Sequence, residues 1–284
     1  MKIRLSVIIS IVILLSGLAI YFYPTVADYW NTFTQTKAIQ SYSENVDNLN
    51  REEYSKILDE ARAYNEEIAK KGICRHISDE EKAKYNAVLN PDGKGMMAYI
   101  EIPKINVVLG IYHGADEKVL LRSAGHIEGS SLPVDSESAH CIISGHRGLP
   151  SASLFSELDK LATGDKFMIR TLNEVYTYEI DSINIVEPDD ISLLKVEKGK
   201  NYCTLVTCTP YGSNTHRLLV RGQMTDTKNP PEIMIPAEVM QIKPVYIAAL
   251  IAVPILVLIV PAVMIFNKKP HKPDTERLKG SNRT

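Results

Sequence analysis

The hydrophobic pattern divides the chain into segments of different period. Residues 5–23 are uncharged and dominated by Ile, Leu and Val, a run long enough to cross the hydrocarbon core of a bilayer. Residues 25–71 are polar, with apolar positions at helical spacing: Val26, Tyr29, Trp30 and Phe33, then Tyr54, Ile57, Leu58, Ala61, Tyr64 and Ile68. That spacing predicts two amphipathic helices broken near Asn48, Leu49 and Asn50. Residues 72–95 carry Gly, Pro and Asn near their ends and read as a long connecting loop, a length typical of functional or disordered segments. Over residues 96–224 the period shortens to that of strands, with runs at 98–105, 107–113, 139–144, 166–171, 175–186, 203–208 and 217–223. Short helices are expected at 116–121, 152–161 and 190–194. Short strands with turns between them predict a mostly β domain closed into a barrel. Residues 225–244, with Pro230, Pro231, Pro236 and Pro244, read as an extended linker, and 245–266 as a second apolar span.

Charge refines this layout. The net charge is −2 with 23% charged residues, which supplies no basic field for nucleic acid and argues against wholesale disorder. Lys2 and Arg4 flank the first apolar run, and Lys268, Lys269 and Lys272 open the basic tail 267–284 after the second. Positive flanks of this kind place both termini in the cytoplasm and the middle of the chain outside the cell membrane. A cleaved signal peptide is the alternative for residues 1–24. The run is longer than an ordinary signal-peptide core, and no small-x-small cleavage pattern follows, so a retained transmembrane anchor is expected.

The candidate chemistry lies at residues 204–222: a β-branched strand ending on Cys208, a Pro/Gly/Ser/Asn turn, and an apolar strand opening with Arg217. A cysteine at a strand end is held rigidly and is reachable from a cleft, and an adjacent guanidinium favours its thiolate. Upstream, the strand at 139–144 delivers His146 just past its end. Taken alone, Cys208 is open between a structural thiol and a nucleophile. Cys141 and Cys203 sit inside apolar strand sequence and read as buried small hydrophobes, which leaves Cys74 as the odd thiol. His140 shares strand parity with His146 and is its main rival, lying deeper in the strand. His76, His113, His126, His216 and His271 read as loop, core, surface or tail residues. Arg147 and Arg221 are expected at the surface. A zinc site is disfavoured, because His140 and Cys141 face opposite sides of a strand and no C-x-x-C or H-x-x-x-H pair exists.

The string TLVTC, followed nine positions after its cysteine by an arginine, with SGHRG upstream, resembles the sortase transpeptidases of Gram-positive bacteria. The longer strings YIEIPKI, SGHRGLPSASLF, VEPDD and TCTPYGSNTHRLLVRG resemble the class C, pilin-polymerising branch. This resemblance implies an eight-stranded sortase barrel with Cys208, His146 and Arg217 meeting at one mouth. It implies cleavage of an LPXTG-like sorting signal between Thr and Gly, a thioester on Cys208, and transfer to a lysine amine of another pilin subunit. No metal or organic cofactor is required by these steps. Attachment of surface proteins to cell-wall precursor, and a non-catalytic membrane-tethered adhesin or receptor, are the alternative readings. The resemblance also makes residues 72–95 a lid. Such lids carry an Asp-Pro-aromatic anchor, whereas this chain has Cys74, Arg75, His76 and Ile77 before Ser78. A mobile lid that covers Cys208 weakly is therefore expected, with a Cys74–Cys208 disulfide as the competing reading.

Overall fold

The computed structural model describes residues 5–74 and 77–225. Helix α1 (Leu5–Asp47) runs without interruption through Pro24, so the apolar run and the first amphipathic segment form one helix rather than two elements. Helix α2 (Arg51–Lys71) begins after Asn50, whose side chain accepts hydrogen bonds from the N–H groups of Glu52 and Glu53 while the Glu53 carboxylate accepts from Asn50 N. That capping box satisfies donors the first turn would otherwise leave free. Within α1, Leu5–Leu18 falls in a different compact unit from the residues that begin at Ala19. Of the two apolar spans expected from the sequence, the second, at 245–266, lies outside the described residues, as do the linker from 226 onward and the basic tail.

Eight strands close a barrel: β1 (Met96–Ile102), β2 (Val107–His113), β3 (Ala124–His126), β4 (Ala139–Ser144), β5 (Lys166–Thr171), β6 (Glu174–Val186), β7 (Asn201–Thr209) and β8 (His216–Met224). Their order around the barrel is β1-β2-β3-β4-β7-β8-β6-β5, with β2/β3 and β4/β7 parallel and the other pairs antiparallel. Alternation along the strands sends Cys141, Ile143, Cys203, Leu205, Val220, Phe167 and Tyr178 into the interior, all almost wholly buried. Of the short helices expected, only Glu117–Leu120 (α4) forms as α-helix; Leu158–Lys160 is a single 3₁₀ turn and residues 190–194 form turns.

The segment 72–95, read from the sequence as a connecting loop, is in part helical. It contains a third helix, α3 (Asp79–Ala87), which opens with a second capping box between Ser78 and Glu81. Glu81 also pairs with Lys71, which holds its carboxyl down at about 2. Lys84 reaches both carboxylate oxygens of Glu67 at 2.7 Å, and Lys82 reaches Glu128 at 2.9 Å. The decisive anchor is Tyr85, fully buried, stacked on His126 and edge-on to His113. Its hydroxyl accepts from Gly114 N at 3.0 Å and donates to His126 O at 3.1 Å. His113 fixes the end of the segment through Gly95 O (3.0 Å) and Val88 O (2.8 Å). Cys74 N donates to Gly129 O at 3.3 Å, and all four cysteines are free thiols, so no Cys74–Cys208 disulfide exists here.

If Tyr85 is the anchor, Tyr85→Phe costs about 1–3 kcal/mol by leaving the buried Gly114 N–H unpaired. Tyr85→Ala costs about 3–5 kcal/mol. Chemical denaturation measures both, and hydrogen exchange over residues 77–90 should accelerate in the alanine variant; unchanged exchange would refute the anchoring role.

Candidate active site

Strand β7 carries Cys208 next to its end, and the turn at 210–215 returns the chain so that Arg217 on β8 lies directly opposite. Opposed residues of an antiparallel pair share a face, so thiol and guanidinium stand on the same side of the sheet. His146 arrives by a different route. Strand β4 runs parallel to β7 with Ser144 level with Val206. The alignment continues past the strand end, because Gly145 N donates to Val206 O at 3.0 Å and Thr207 Oγ1 donates to Gly145 O at 2.8 Å. Carried on by two residues, this register sets His146 level with Cys208, and the strand period of two puts both on the outer face. Cys208, His146 and Arg217 are all half-buried. The Arg217 guanidinium is steadied by the Asn214 and His216 carbonyls at 3.2 and 3.0 Å.

The turn after His146 is built around contacts that tolerate no extra bulk. Gly145 lies against the Phe155 ring, where an added Cβ would stand 2.6 Å from Cδ2. Gly148 has φ +78° and lies under Tyr211 from the β7–β8 turn. Phe155 N donates to His146 O at 3.1 Å, and Gly148 N to Ser156 Oγ at 3.0 Å. Arg147, expected at the surface, is instead only 9% exposed at its side chain. It follows His146 by one residue and so turns to the other side, where it donates to Thr209 Oγ1 at 3.2 Å and to Asp159 Oδ2 at 2.5 Å. The histidine turn is thereby tied to the residue after Cys208. Spacing did not reveal this role, because the acidic partner lies in a separate turn. Arg221, also expected on a solvated exterior, pairs with Asp181 at 2.9 and 3.0 Å and stacks on Tyr202 at 4.2 Å.

The rival histidine is occupied elsewhere. His140 is fully buried on the same outer face, contacting Lys195 O at 2.8 Å through Nδ1 and Thr204 Oγ1 at 2.7 Å through Nε2. The neutral ring donating at Nδ1 and accepting the Thr204 hydroxyl satisfies both contacts, and it pins the β6–β7 connection over the base of the face. His113 and His126 surround Tyr85, and His216 stands 3.3 Å from Glu187 at the opening of β8. Among the described residues no group of three His, Cys, Asp or Glu side chains is arranged to hold a metal ion.

Comparison with known proteins accords with this geometry. The Sortase domain family model matches residues 100–225. Sortase D of Bacillus subtilis (strain 168) is 31% identical over 146 residues, half of this chain and 71% of that protein. The chain belongs to the sortase family. Among solved structures, sortase C1 of Streptococcus agalactiae superposes with a TM-score of 0.66 at 52% identity, covering 67% of this chain and 98% of that one. Sortase C of Clostridium perfringens, solved with the C-terminal cell wall sorting motif, gives 0.60 at 37% identity over 67% and 98%. This sortase falls in the class C branch and is a cysteine transpeptidase.

The state of His140 makes a pH prediction. Burial lowers its pKa below the ordinary 6.5, outweighing the Lys195 carbonyl that favours the charged ring, and Arg221 pushes it further down. A depressed folded pKa means the unfolded chain takes up the proton first. The contribution to stability is full above about 6.5 and is lost as pH falls through the depressed folded value. The unfolding temperature should drop between pH 7 and 5, and less steeply in His140→Asn. Equal slopes in the two proteins would remove His140 from the acid response.

Proposed function

We propose that this sortase cleaves an LPXTG-like sorting signal between Thr and Gly and joins the new acyl end to a lysine side chain of another pilin subunit. The observation that carries the reading is the pairing of Cys208 with Arg217, with His146 brought alongside by the parallel β4/β7 register. The Cys208 thiolate attacks the scissile carbonyl carbon. The tetrahedral oxyanion is held by Arg217 and neighbouring backbone N–H groups. Collapse breaks the C–N bond, the leaving glycine amine takes a proton from His146, and a thioester remains on Cys208. A lysine amine then attacks the thioester, His146 accepts its proton, and the thiolate departs as the isopeptide forms. Likeness to a sortase solved with a sorting motif supports a sorting-signal donor, and likeness to class C sortases, one of them from a pilus island, supports a pilin lysine acceptor over cell-wall precursor.

Residues 1–24 serve as a membrane anchor, 25–71 as a helical stalk packed on the catalytic barrel of 96–224, and 225–244 as a linker to a second span at 245–266. The apolar start of α1, with Ile13 and Ile20 largely exposed, supports the anchor. The lid-like segment 72–95 is held by Tyr85 on the β2 and β3 ends, and Cys208 stays open to small thiol reagents.

Cys208→Ala should abolish cleavage with the fold intact. His146→Ala and Arg217→Ala should each lower kcat/KM by about a hundred-fold or more. Mass spectrometry with a sorting-signal peptide and a lysine-bearing pilin domain reads thioester, hydrolysis product and isopeptide separately. Full activity in Arg217→Ala would remove the arginine from the mechanism. For topology, reporters fused at Thr284 should behave as cytoplasmic, and activity only on the outer side would contradict the two-span arrangement.

A further inference from the structure

On the side of the sheet away from the catalytic residues lies a guanidinium that the reaction does not use. The Arg147 side chain is nine-tenths buried, with Nη1 donating to Thr209 Oγ1 at 3.2 Å and Nη2 to Asp159 Oδ2 at 2.5 Å. Its Nε is buried and has no hydrogen-bond partner among the described residues. Asp159, on the Leu158–Lys160 turn, is itself half-exposed. Stability is a poor account of this arrangement. Burying a guanidinium costs desolvation, one half-exposed carboxylate offsets little of it, and an apolar side chain of similar volume would serve as well or better. What a guanidinium supplies instead is a rigid planar fork. Here the fork ties three elements together: the end of β4 through its own backbone, the end of β7 through Thr209, and the Leu158–Lys160 turn through Asp159.

Such a tie matters where the ladder stops. Strand β4 ends at Ser144, and among the described residues the last backbone hydrogen bond from its end to β7 is Gly145 N to Val206 O. His146 stands just beyond that bond on one chain and Cys208 just beyond it on the other. Arg147 directly follows His146 and Thr209 directly follows Cys208, so the Arg147–Thr209 bond joins the two residues next past the catalytic pair. The far arm of the fork reaches the same turn by a second path, since Phe155 N donates to His146 O at 3.1 Å and Phe155 and Leu158 are buried ahead of Asp159. A histidine that must reach a leaving amine tolerates displacement badly: about 1 Å of misplacement can cost on the order of a hundred-fold in rate.

We propose that Arg147 is a positioning residue. Through Thr209 and Asp159 it holds His146 at the spacing from Cys208 that lets the imidazolium hand its proton to the departing glycine amine. Thiolate attack is set separately, because Cys208 and Arg217 are fixed by the β7–β8 pairing. This inference rests on the acid–base role given to His146 in the sorting-signal reading.

The test separates protonation of the leaving group from attack. Single-turnover acylation of Cys208 is followed by intact mass in the full-length protein, in detergent and without an acceptor amine, using two donors of one sorting-signal sequence. The first carries the ordinary Thr–Gly amide, whose nitrogen must take a proton to leave. The second carries a thioester at that bond, whose thiolate leaves without one. Arg147→Gln should slow acylation by the amide roughly ten- to a hundred-fold, with the half-saturating donor concentration unchanged, and slow acylation by the thioester far less. Thr209→Val and Asp159→Asn each remove one contact of the fork with little change of volume, and should show the same amide-selective loss. Thr209→Ser, which keeps the hydroxyl, should recover most of it. Thermal unfolding checks that each variant is folded, and if Arg147→Gln is not, the Thr209 and Asp159 variants decide. A loss equal on both donors, or no loss on the amide, overturns the positioning role and leaves the sorting-signal reading standing. If the natural protein is acylated by neither donor, that reading falls and this inference with it.

Discussion

The parallel pairing of β4 with β7 is the constraint on which the site depends. Two parallel neighbours end at the same end of a sheet, so each can deliver a side chain to one place. Here one delivers His146 and the other Cys208. A parallel pair cannot be joined by a tight turn and needs a crossover. Between β4 and β7 the chain builds β5 and β6, which is why histidine and cysteine are so far apart in sequence. The antiparallel return into β8 then places Arg217 opposite Cys208. Interior side chains hold the register: Cys141 meets Cys203 and Ile143 meets Leu205, each pair buried. A slip of one residue would turn these four outward and the catalytic face inward, so burial of the core and alignment of the site are one requirement.

The N-terminal helices contribute by satisfying backbone groups that the strands leave over. Buried N–H and C=O groups without partners are costly. Gln35 serves Gly110 N and Arg122 O, Tyr42 serves Met97 O and Leu172 N, and Asn65 serves Leu132 through both N and O. These three polar residues are buried within otherwise apolar contact faces. Each fixes where its helix lies along the barrel more sharply than apolar packing could. Their placement also fixes the level at which α1 meets the turn after His146.

Seven of the eight strands were legible from β-branched runs bounded by turn residues. The eighth, β3, was not, because three residues containing a glycine show no alternation. Its identity is settled by pairing, parallel to β2 and antiparallel to β4. The helix within 72–95 was missed for a different reason. Length and the missing Asp-Pro-aromatic motif pointed to a loose loop, while Ser78-x-x-Glu81 carried a plain capping signal and Tyr85 a buried anchor. Capping is local and readable; what Tyr85 packs against comes from β2 and β3, far along the chain.

Within the site, strand parity resolves the cysteines but not the histidines. Cys203 and Cys208 lie on one strand an odd number of residues apart, so they face opposite sides: the first is sealed in the barrel interior and the second is half-buried on the outer face. His140 and His146 are an even number apart and share that outer face. What separates them is cover. The β6–β7 connection lays the Lys195 carbonyl on His140 and Arg221 stacks on neighbouring Tyr202, closing the base of the face. His146 lies past the strand end, where Gly145 and Gly148 keep the turn thin against Phe155 and Tyr211. A face with one covered and one open histidine also explains the two arginines of β8. Arg221 is neutralised by Asp181 at the covered end, whereas the Arg217 guanidinium is bonded to the uncharged carbonyls of Asn214 and His216 and keeps its field beside Cys208.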